Sequence, residues 1–292
     1  MKDKGIIYVA TKDDRYAAEA FLSATSVKDL MPDIPITLFT NLEDSVFVKD
    51  DCFDDVVSIN TVQKYANEWS EGLLDRMLCL RHSPYQYTLN LDTDTRVMSA
   101  EVLDIFAELD TIDIAMIECE TDNSVSRLHY GARMFNVGFI LYRKNPKTDQ
   151  LFKAWSELTA EHFQAASQEK LPDLEYMSHI SDEEMRRRLL FVDQVAMVQL
   201  LSPDTNVFDL DLKILHESWN YRGSKTNRPL GQNLRVSHHP NLRMALASDI
   251  ANVAMRYQHN GNKARALELY KSLAERLPGN PDIMNLIAGC GG

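Results

Sequence analysis

Two aspartates separated by one residue carry the clearest chemical signal in this sequence. Asp92 and Asp94 directly follow the segment 87–91, in which apolar and polar residues alternate. That alternation is typical of a buried or half-buried strand. In extended chain an i, i+2 spacing puts both side chains on the same side, so the carboxylates would converge at the end of the strand. Carboxylate oxygens are preferred ligands of hard divalent cations, and the pair therefore predicts a site for a metal ion and a diphosphate.

The segments before the aspartates predict a β-α-β arrangement that would position them. Apolar runs at 5–11, 36–40 and 56–59 indicate strands, and helical spacing of apolar residues over 18–25 indicates a helix after the first strand. Such a start is typical of a parallel sheet with helices on its faces. Ligands of these sheets gather at the carboxyl ends of the strands. Residues 11–14 and the two aspartates would therefore lie at one edge.

Later segments supply candidate partners for that edge. The β-like segment 135–142 contains Asn136 and Gly138, and a glycine inside a strand marks either a bulge or the close approach of a ligand or another backbone. An amphipathic helix is predicted over 191–201, and Asp193 and Gln194 lie at its start. His238 and its neighbour His239 follow in a loop or strand-end context. Histidines in such a context become candidate ligands if the chain brings them to the aspartates.

Composition restricts the class of protein. The 292 residues are 45% hydrophobic, which suits one large or two smaller domains. The net charge of -12 argues against a nucleic-acid partner but not against a nucleotide, because a bound cation can neutralise phosphates. No apolar stretch approaches the roughly 18 residues of a membrane span. The four cysteines are scattered, so we expect a reduced, cytoplasmic protein with no membrane span.

Taken in order, the segments resemble the A-type (GT-A) fold of nucleotide-sugar glycosyltransferases. The resemblance is nearest to glycogenin-like retaining families and to loosely characterised nucleotide-diphospho-sugar transferases, and it covers about residues 5–240. It rests on Y-V-A-T at 8–11, L-F-T-N at 38–41, H-S-P-Y-Q-Y-T-L-N-L-D-T-D-T at 82–95, F-N-V-G-F-I-L at 135–141, V-D-Q-V-A-M at 192–197, W-N at 219–220 and V-S-H-H at 236–239. It implies an α/β, Rossmann-like fold with a mostly parallel central sheet and flanking helices.

The same resemblance implies a function. A sugar, of the hexosyltransferase type, would move from a nucleoside diphosphate sugar, with a UDP-sugar favoured, to a hydroxyl of a saccharide, lipid or protein acceptor, with retention of configuration. Mn²⁺ or Mg²⁺ would be held by Asp92, Asp94 and His238, with His239 the less favoured choice. The resemblance implies donor contacts for Val9, Ala10, Thr11, Arg76, Asp92, Asn136 and Gly138, contacts with the transferred sugar for Asp193 and Gln194, and an acceptor-side position for Trp219 and Asn220.

One part of the family pattern is missing. The ending H-x-x-G-x-x-K-P-W is absent, because the chain reads H-H-P-N-L-R from His238 onward. The lysine that would grip the diphosphate therefore has no match. Lys225 and Arg228 are candidate replacements.

A phosphatase is the main alternative. Residues 92–95, D-T-D-T, match the D-x-D-x-T motif of haloacid-dehalogenase-type phosphatases, in which the first aspartate is a nucleophile and the second a general acid. That family places the motif near the N-terminus and needs a later lysine and a further acidic pair. Here a β-α-β segment precedes the motif and no G-D-x-x-x-D follows it. We therefore rank the phosphatase second.

The end of the chain predicts a separate helical unit. Residues 251–282 resemble one tetratricopeptide repeat, so we expect a transferase domain over 1–242 and a helical tail over 243–292. A lone repeat cannot bury its own apolar face. The favoured interpretation is a helical hairpin that caps the first domain; the other is a surface for a second copy or another partner. A repeat-mediated binding protein with a degenerate transferase domain is thus a further alternative.

Overall fold

The computed structural model describes residues 2–49, 52–65, 68–118, 134–201, 206–222, 234–238 and 242–291. Its strands are β1 (Lys2–Ala10), β2 (Ile36–Thr40), β3 (Asp55–Ser58), β4 (Tyr85–Leu91), β5 (Thr95–Val97), β6 (Ile114–Glu118), β7 (Phe135–Arg143), β8 (Leu212–Leu215) and β9 (Val236–His238). Its α-helices are α1 (Asp14–Leu30), α2 (Glu68–Arg81), α3 (Pro146–Ser167), α4 (Glu183–Leu190), α5 (Asp193–Leu201), α6 (Leu242–His259), α7 (Lys263–Arg276) and α8 (Pro281–Gly289). Within the described residues, 3-10 helices cover Ala100–Asp110, Glu175–Met177 and Glu217–Trp219.

Seven strands form the central sheet, in the order β3-β2-β1-β4-β7-β6-β8. Neighbouring strands pair in parallel except at β7, which runs antiparallel to both β4 and β6. The predicted α/β fold with a mostly parallel sheet and flanking helices is confirmed. The reversed direction of β7 was not predicted, because a strand's residue pattern reports which faces are buried and not the direction of the chain.

The sheet is buried on both faces, which explains its continuous apolar runs. Along β1, Ile6 and Tyr8 join the cluster under α1, whereas Ile7 joins the cluster under α2 and α3. This alternation is the two-residue period of a strand. Both layers of helices thus hold the carboxyl ends of β1 and β4 in fixed register, with Ile7 opposite Asn90.

Two elements differ from the sequence prediction. The polar sequence of residues 167–190 predicts an irregular segment, but α4 lies within it, behind the N-cap Asp182, whose side chain accepts from the Met185 N–H. Only Leu189 and Leu190 of α4 are buried, so the helix carries almost no apolar period. The edge strand β8 was also missed, since only Leu215 of its four residues is buried.

The C-terminal helices pack on the first domain. Ala254, Ala266 and Tyr270 belong to the same buried cluster as Phe21 of α1. Ion pairs join Arg256 to Asp29 at 2.7 Å and Arg276 to Asp14 at 2.5 Å. Contrary to the expected hairpin, Pro281 begins a third helix, α8, behind the N-cap Asn280. The boundary at 242/243 stays a prediction.

None of the described helices is long and apolar enough to cross a membrane.

Candidate metal centre

The turn after β4 places the two aspartates at the carboxyl edge of the sheet. The Asp92 N–H donates to the Gly138 carbonyl at 2.9 Å, which continues the pairing with β7 by one residue. The Thr95 side chain and N–H both donate to the Asp92 carbonyl, at 2.8 and 3.3 Å, and close a tight turn. Between the aspartates, Thr93 donates to the buried carboxylate of Glu19 at 3.0 Å. The turn is therefore tied both to the sheet and to α1.

A small second sheet brings His238 to this turn. Strand β5, which follows the aspartates, pairs antiparallel with β9, and Thr95 lies opposite His238. Asp92, Asp94 and His238 each offer a ligand atom, and these atoms lie within 4.8 Å of one another. The imidazole is 1% exposed, whereas the two carboxylates are 26% and 25% exposed. The buried imidazole thus closes one side of the centre, and the two partly exposed carboxylates leave the other side open to solvent.

The three side chains are close enough to one another to share one cation. His238 Nε2 lies 3.0 Å from Asp94 Oδ1 and 3.8 Å from Asp92 Oδ2. Two ligands about 2.1 Å from a divalent cation and at right angles to each other are about 3.0 Å apart, which is the distance to Asp94 Oδ1 but not the longer one to Asp92 Oδ2. The structure therefore brings His238 beside the two aspartates, and its role as the third ligand stays a prediction. His239 lies outside the described residues.

Asn220 orients the imidazole. Its Oδ1 lies 2.9 Å from His238 Nδ1, so Nδ1 carries the proton and donates. The Nε2 lone pair then faces the aspartates, as a metal ligand requires. The sequence had grouped Asn220 with Trp219 on the acceptor side, and it offered no signal of this contact. The two residues meet only because Tyr221 bridges to Ser237.

Gly138 is required by close approach. A Cβ on this residue would lie 2.5 Å from Asp92 Oδ2 and 2.6 Å from His238 Cε1. The pairing of β6 with β7 also shifts here, because Met116 pairs with Ile140 while Ile117 pairs with Asn136. Asn136 holds the irregular turn by accepting from the Gly138 N–H at 3.0 Å. The bulge interpretation of the strand glycine agrees with this register shift, whereas the close approach found here is that of two side chains and not of a ligand or another backbone.

Arg76 connects the centre to the start of α5. The guanidinium of this buried α2 residue donates to Asp92 Oδ1 and to Asp193 Oδ2. Burial lowers the pKa of Arg76, but the two carboxylates raise it by more, so the pKa lies above its ordinary value. Burial raises the pKa of Asp193, and the charge of Arg76 limits that rise. The Trp155 indole N–H donates to the Asp193 carbonyl at 2.8 Å and fixes the start of the helix.

Gln194 is held close by. Its side-chain amide N–H donates to the Phe135 carbonyl at 2.6 Å, so the amide cannot rotate freely against β7. Gln194 and Asp193 are both buried. Direct contacts thus join five of the residues singled out in the sequence, which are Arg76, Asp92, Asp94, Asp193 and His238. Gly138 lies against Asp92 and His238.

The predicted nucleoside residues lie at the carboxyl end of β1. Ala10 is fully buried in the core, whereas Val9 is only partly buried. Thr11 donates to Asp75 Oδ2 at 3.0 Å, and the Val62 N–H donates to Asp75 Oδ1 at 2.7 Å. This network attaches the segment after β3 to α2 immediately before Arg76. Val9, Ala10 and Thr11 keep their place as predicted donor contacts.

Arg222 is a site residue that sequence analysis missed. Its Nη2 lies 3.1 Å from His238 Nε2. The sequence pointed to Lys225 and Arg228 for a positive charge, and both lie outside the described residues.

Comparison with known proteins gives structural neighbours only. No protein-family model and no curated protein matches the sequence. The chain is similar to the galactosyltransferase LgtC in complex with donor and acceptor sugar analogues, with 13% identity over 81% of this chain and 87% of that chain and a TM-score of 0.46. For mouse xyloside xylosyltransferase 1 the identity is 12%, over 82% and 98%, with a TM-score of 0.47. For the glycosyltransferase GlyE of Streptococcus pneumoniae it is 16%, over 82% and 54%, with a TM-score of 0.45.

All three neighbours are glycosyltransferases. Nearness to the glycogenin-like families stays a prediction. At these identities and TM-scores the neighbours do not argue for an activity, and the functional proposal rests on the geometry of the site.

Proposed function

We propose that this protein is a metal-dependent glycosyltransferase that moves a sugar, a hexose by the resemblance, from a nucleoside diphosphate sugar to an acceptor hydroxyl. The observation that carries the proposal is the grouping of Asp92, Asp94 and His238 at the carboxyl edge of the sheet. Transfer from such a donor leaves negative charge on the diphosphate. A bound divalent cation stabilises that charge as a Lewis acid.

The ligand set favours Mn²⁺ or Mg²⁺. Two carboxylates and one imidazole supply three ligands, and the exposed carboxylate side leaves room for phosphate oxygens and water. Hard oxygen ligands with a single imidazole suit these ions, whereas zinc sites favour clusters of histidine and cysteine. The Nδ1–Asn220 hydrogen bond leaves Nε2 able to bind a cation.

The charges around the centre make anion binding depend on the cation. Among the described residues that contact one another there, Asp92, Asp94 and Asp193 supply three negative charges, and Arg76 and Arg222 supply two positive ones. A divalent cation changes the sign of that sum from negative to positive. We therefore expect the diphosphate to bind only with the metal.

Asp193 and Gln194 are proposed to face the transferred sugar. The transition state of glycosyl transfer resembles an oxocarbenium ion, which a nearby anionic or polar group stabilises. Arg76 links Asp193 to the metal-side carboxylate Asp92, so leaving group and sugar would be held by one connected set of side chains. Retention of configuration and a UDP-sugar donor are proposed from the resemblance. The acceptor would be a saccharide, lipid or protein.

Calorimetry with UDP, with and without Mn²⁺, tests the proposal. We expect UDP to bind the wild-type protein only with Mn²⁺ and Asp94→Asn to abolish that binding. Asp149→Asn is the matched control, because Asp149 pairs with Arg81 on the surface of α3. Failure of UDP, GDP and other nucleoside diphosphates to bind with metal present would overturn the proposal.

The alternatives are not favoured. Asp92 accepts from Arg76, which reduces its ability to act as a nucleophile, and the third member of the group is His238 rather than a further acidic pair. Turnover of a generic phosphomonoester with Mg²⁺ would reverse this ranking. The C-terminal helices bury their apolar face against α1. An unburied apolar face was the reason to consider a repeat-mediated binding protein, so that alternative is not favoured.

A further inference from the structure

Arg222 contacts Nε2 of His238, the atom that would bind a metal ion. Nε2 of His238 lies 3.1 Å from Arg222 Nη2 and 3.0 Å from Asp94 Oδ1. With the proton on Nδ1, which donates to Asn220, Nε2 has no hydrogen to give to Asp94, and its lone pair accepts from the guanidinium, which can only donate. Nε2 has one lone pair. The same lone pair is the one that a metal ion would use.

The backbone around Arg222 is fixed by pairing with β9. The Tyr221 N–H donates to the Val236 carbonyl at 2.9 Å, and the His238 N–H donates to the Tyr221 carbonyl at 2.9 Å. The residue that carries the guanidinium therefore follows directly from a bridge to the strand that carries the ligand. The backbone pairing therefore holds Arg222 next to His238.

One donor of Arg222 has no acceptor. The Nε–H is buried and makes no hydrogen bond within the described part of the chain. A buried donor without a partner costs free energy, on the order of 1–3 kcal/mol. A phosphate oxygen bound at the centre is the kind of acceptor that would satisfy it. The charge of Arg222 would also replace that of the lysine missing from the family pattern.

We propose that Arg222 competes with the divalent cation for His238 and turns to the diphosphate when the cation binds. The competition follows because one lone pair cannot serve both groups, and because the guanidinium and the cation repel each other at this distance. Displacement frees the donors of Arg222 beside the open carboxylate side of the centre. The second half of the proposal rests on the proposed function, whereas the competition itself does not.

The proposal predicts that binding of the cation and binding of the nucleotide are thermodynamically linked, and this linkage can be measured. Without nucleotide, Arg222 lowers the affinity of the centre for the cation. When a nucleoside diphosphate is bound, Arg222 donates to a phosphate instead of to His238. It then no longer lowers the affinity of the centre for the cation. The nucleotide must then raise cation affinity by the same factor as the cation raises nucleotide affinity.

Titration of Mn²⁺, followed by electron paramagnetic resonance of the free ion, tests the competition. Wild type, Arg222→Ala and Arg222→Gln are compared without nucleotide. We expect both variants to bind Mn²⁺ about tenfold tighter or more, since a like charge a few ångströms away is removed. Arg235→Ala is the charge-matched control, because its guanidinium stacks on Trp219 and pairs with Glu101 rather than with the centre. Equal or weaker Mn²⁺ binding by both Arg222 variants would overturn the competition.

Titration of UDP into the Mn²⁺-saturated proteins tests the second half. Loss of a hydrogen bond from a charged group to phosphate predicts UDP binding about 10- to 100-fold weaker in both variants. Unchanged UDP affinity would overturn this half alone. Absence of any nucleoside diphosphate binding by the wild-type protein would overturn the proposed function, whereas the Mn²⁺ comparison would still decide the competition.

Discussion

The Oδ1 atom of Asn220 lies 2.9 Å from Nδ1 of His238, and this contact decides which ring nitrogen faces Asp92 and Asp94. We expect Asn220→Ala to weaken Mn²⁺ binding about 10- to 100-fold, because the imidazole loses both its orientation and its tautomer. Isothermal titration measures the effect. Asn220→Asp keeps an acceptor at the same place and should retain most of the affinity. Wild-type affinity in Asn220→Ala would show that packing alone orients the ring.

Gly138 sets the distance between the sheet and the metal ligands. In Gly138→Ala the added Cβ would lie 2.5 Å from Asp92 Oδ2, so the carboxylate must move. We expect Mn²⁺ affinity to fall by a factor of about ten or more, with a loss of unfolding free energy of about 1–3 kcal/mol. Gly72→Ala is the control: its Cβ would meet Thr11 Oγ1 at 3.5 Å, and the change should stabilise α2 by about 0.5–1 kcal/mol. Equal Mn²⁺ affinity in both variants would contradict the prediction.

Arg76 neutralises the partly exposed carboxylate of Asp92 and the buried carboxylate of Asp193. Arg76→Met should lower the unfolding free energy by about 3–5 kcal/mol, because Asp92 and Asp193 are left close together without a counter-charge. Urea unfolding measures this loss, and adding Asp193→Asn should recover part of it. Arg81→Met removes the exposed pair with Asp149 and should cost about 1 kcal/mol or less. If the two arginine variants lose equal stability, the bridge has no special role.

The buried residue His162 should make the free energy of unfolding depend on pH. Burial lowers the pKa of this α3 histidine to about 4. Between pH 6.5 and 4 the unfolded chain protonates His162 and the native protein does not, so stability rises with pH across that window. The contribution is complete above pH 6.5 and is lost as the pH falls towards 4, at most about 3 kcal/mol. Urea unfolding at several pH values should show a smaller slope for His162→Gln than for the wild type. Equal slopes would mean that His162 titrates alike in both states.

The sequence predicted the parts of the centre that lie on single elements. The strand of alternating residues before Asp92 and Asp94, the order of the later segments and the glycine in β7 all carry local signals. Asn220 and Arg222 carried none, because both reach His238 through a bridge between two short segments distant in sequence. The direction of β7 and the helix α4 were missed for a related reason: their residues do not encode chain direction or a strong apolar period.

The ladder between β5 and β9 has a consequence for how the centre holds together. The pairing of Thr95 with His238 joins two parts of the chain that are far apart in sequence, and each strand has only three residues. A cation bound to Asp94 and His238 would therefore act as a cross-link that closes a very long loop. Closing such a loop in the unfolded chain carries an entropic cost that grows slowly with length. A bound metal ion would then help to hold the second half of the chain in its folded position. The separation of β9 from β5 would coincide with release of the ion.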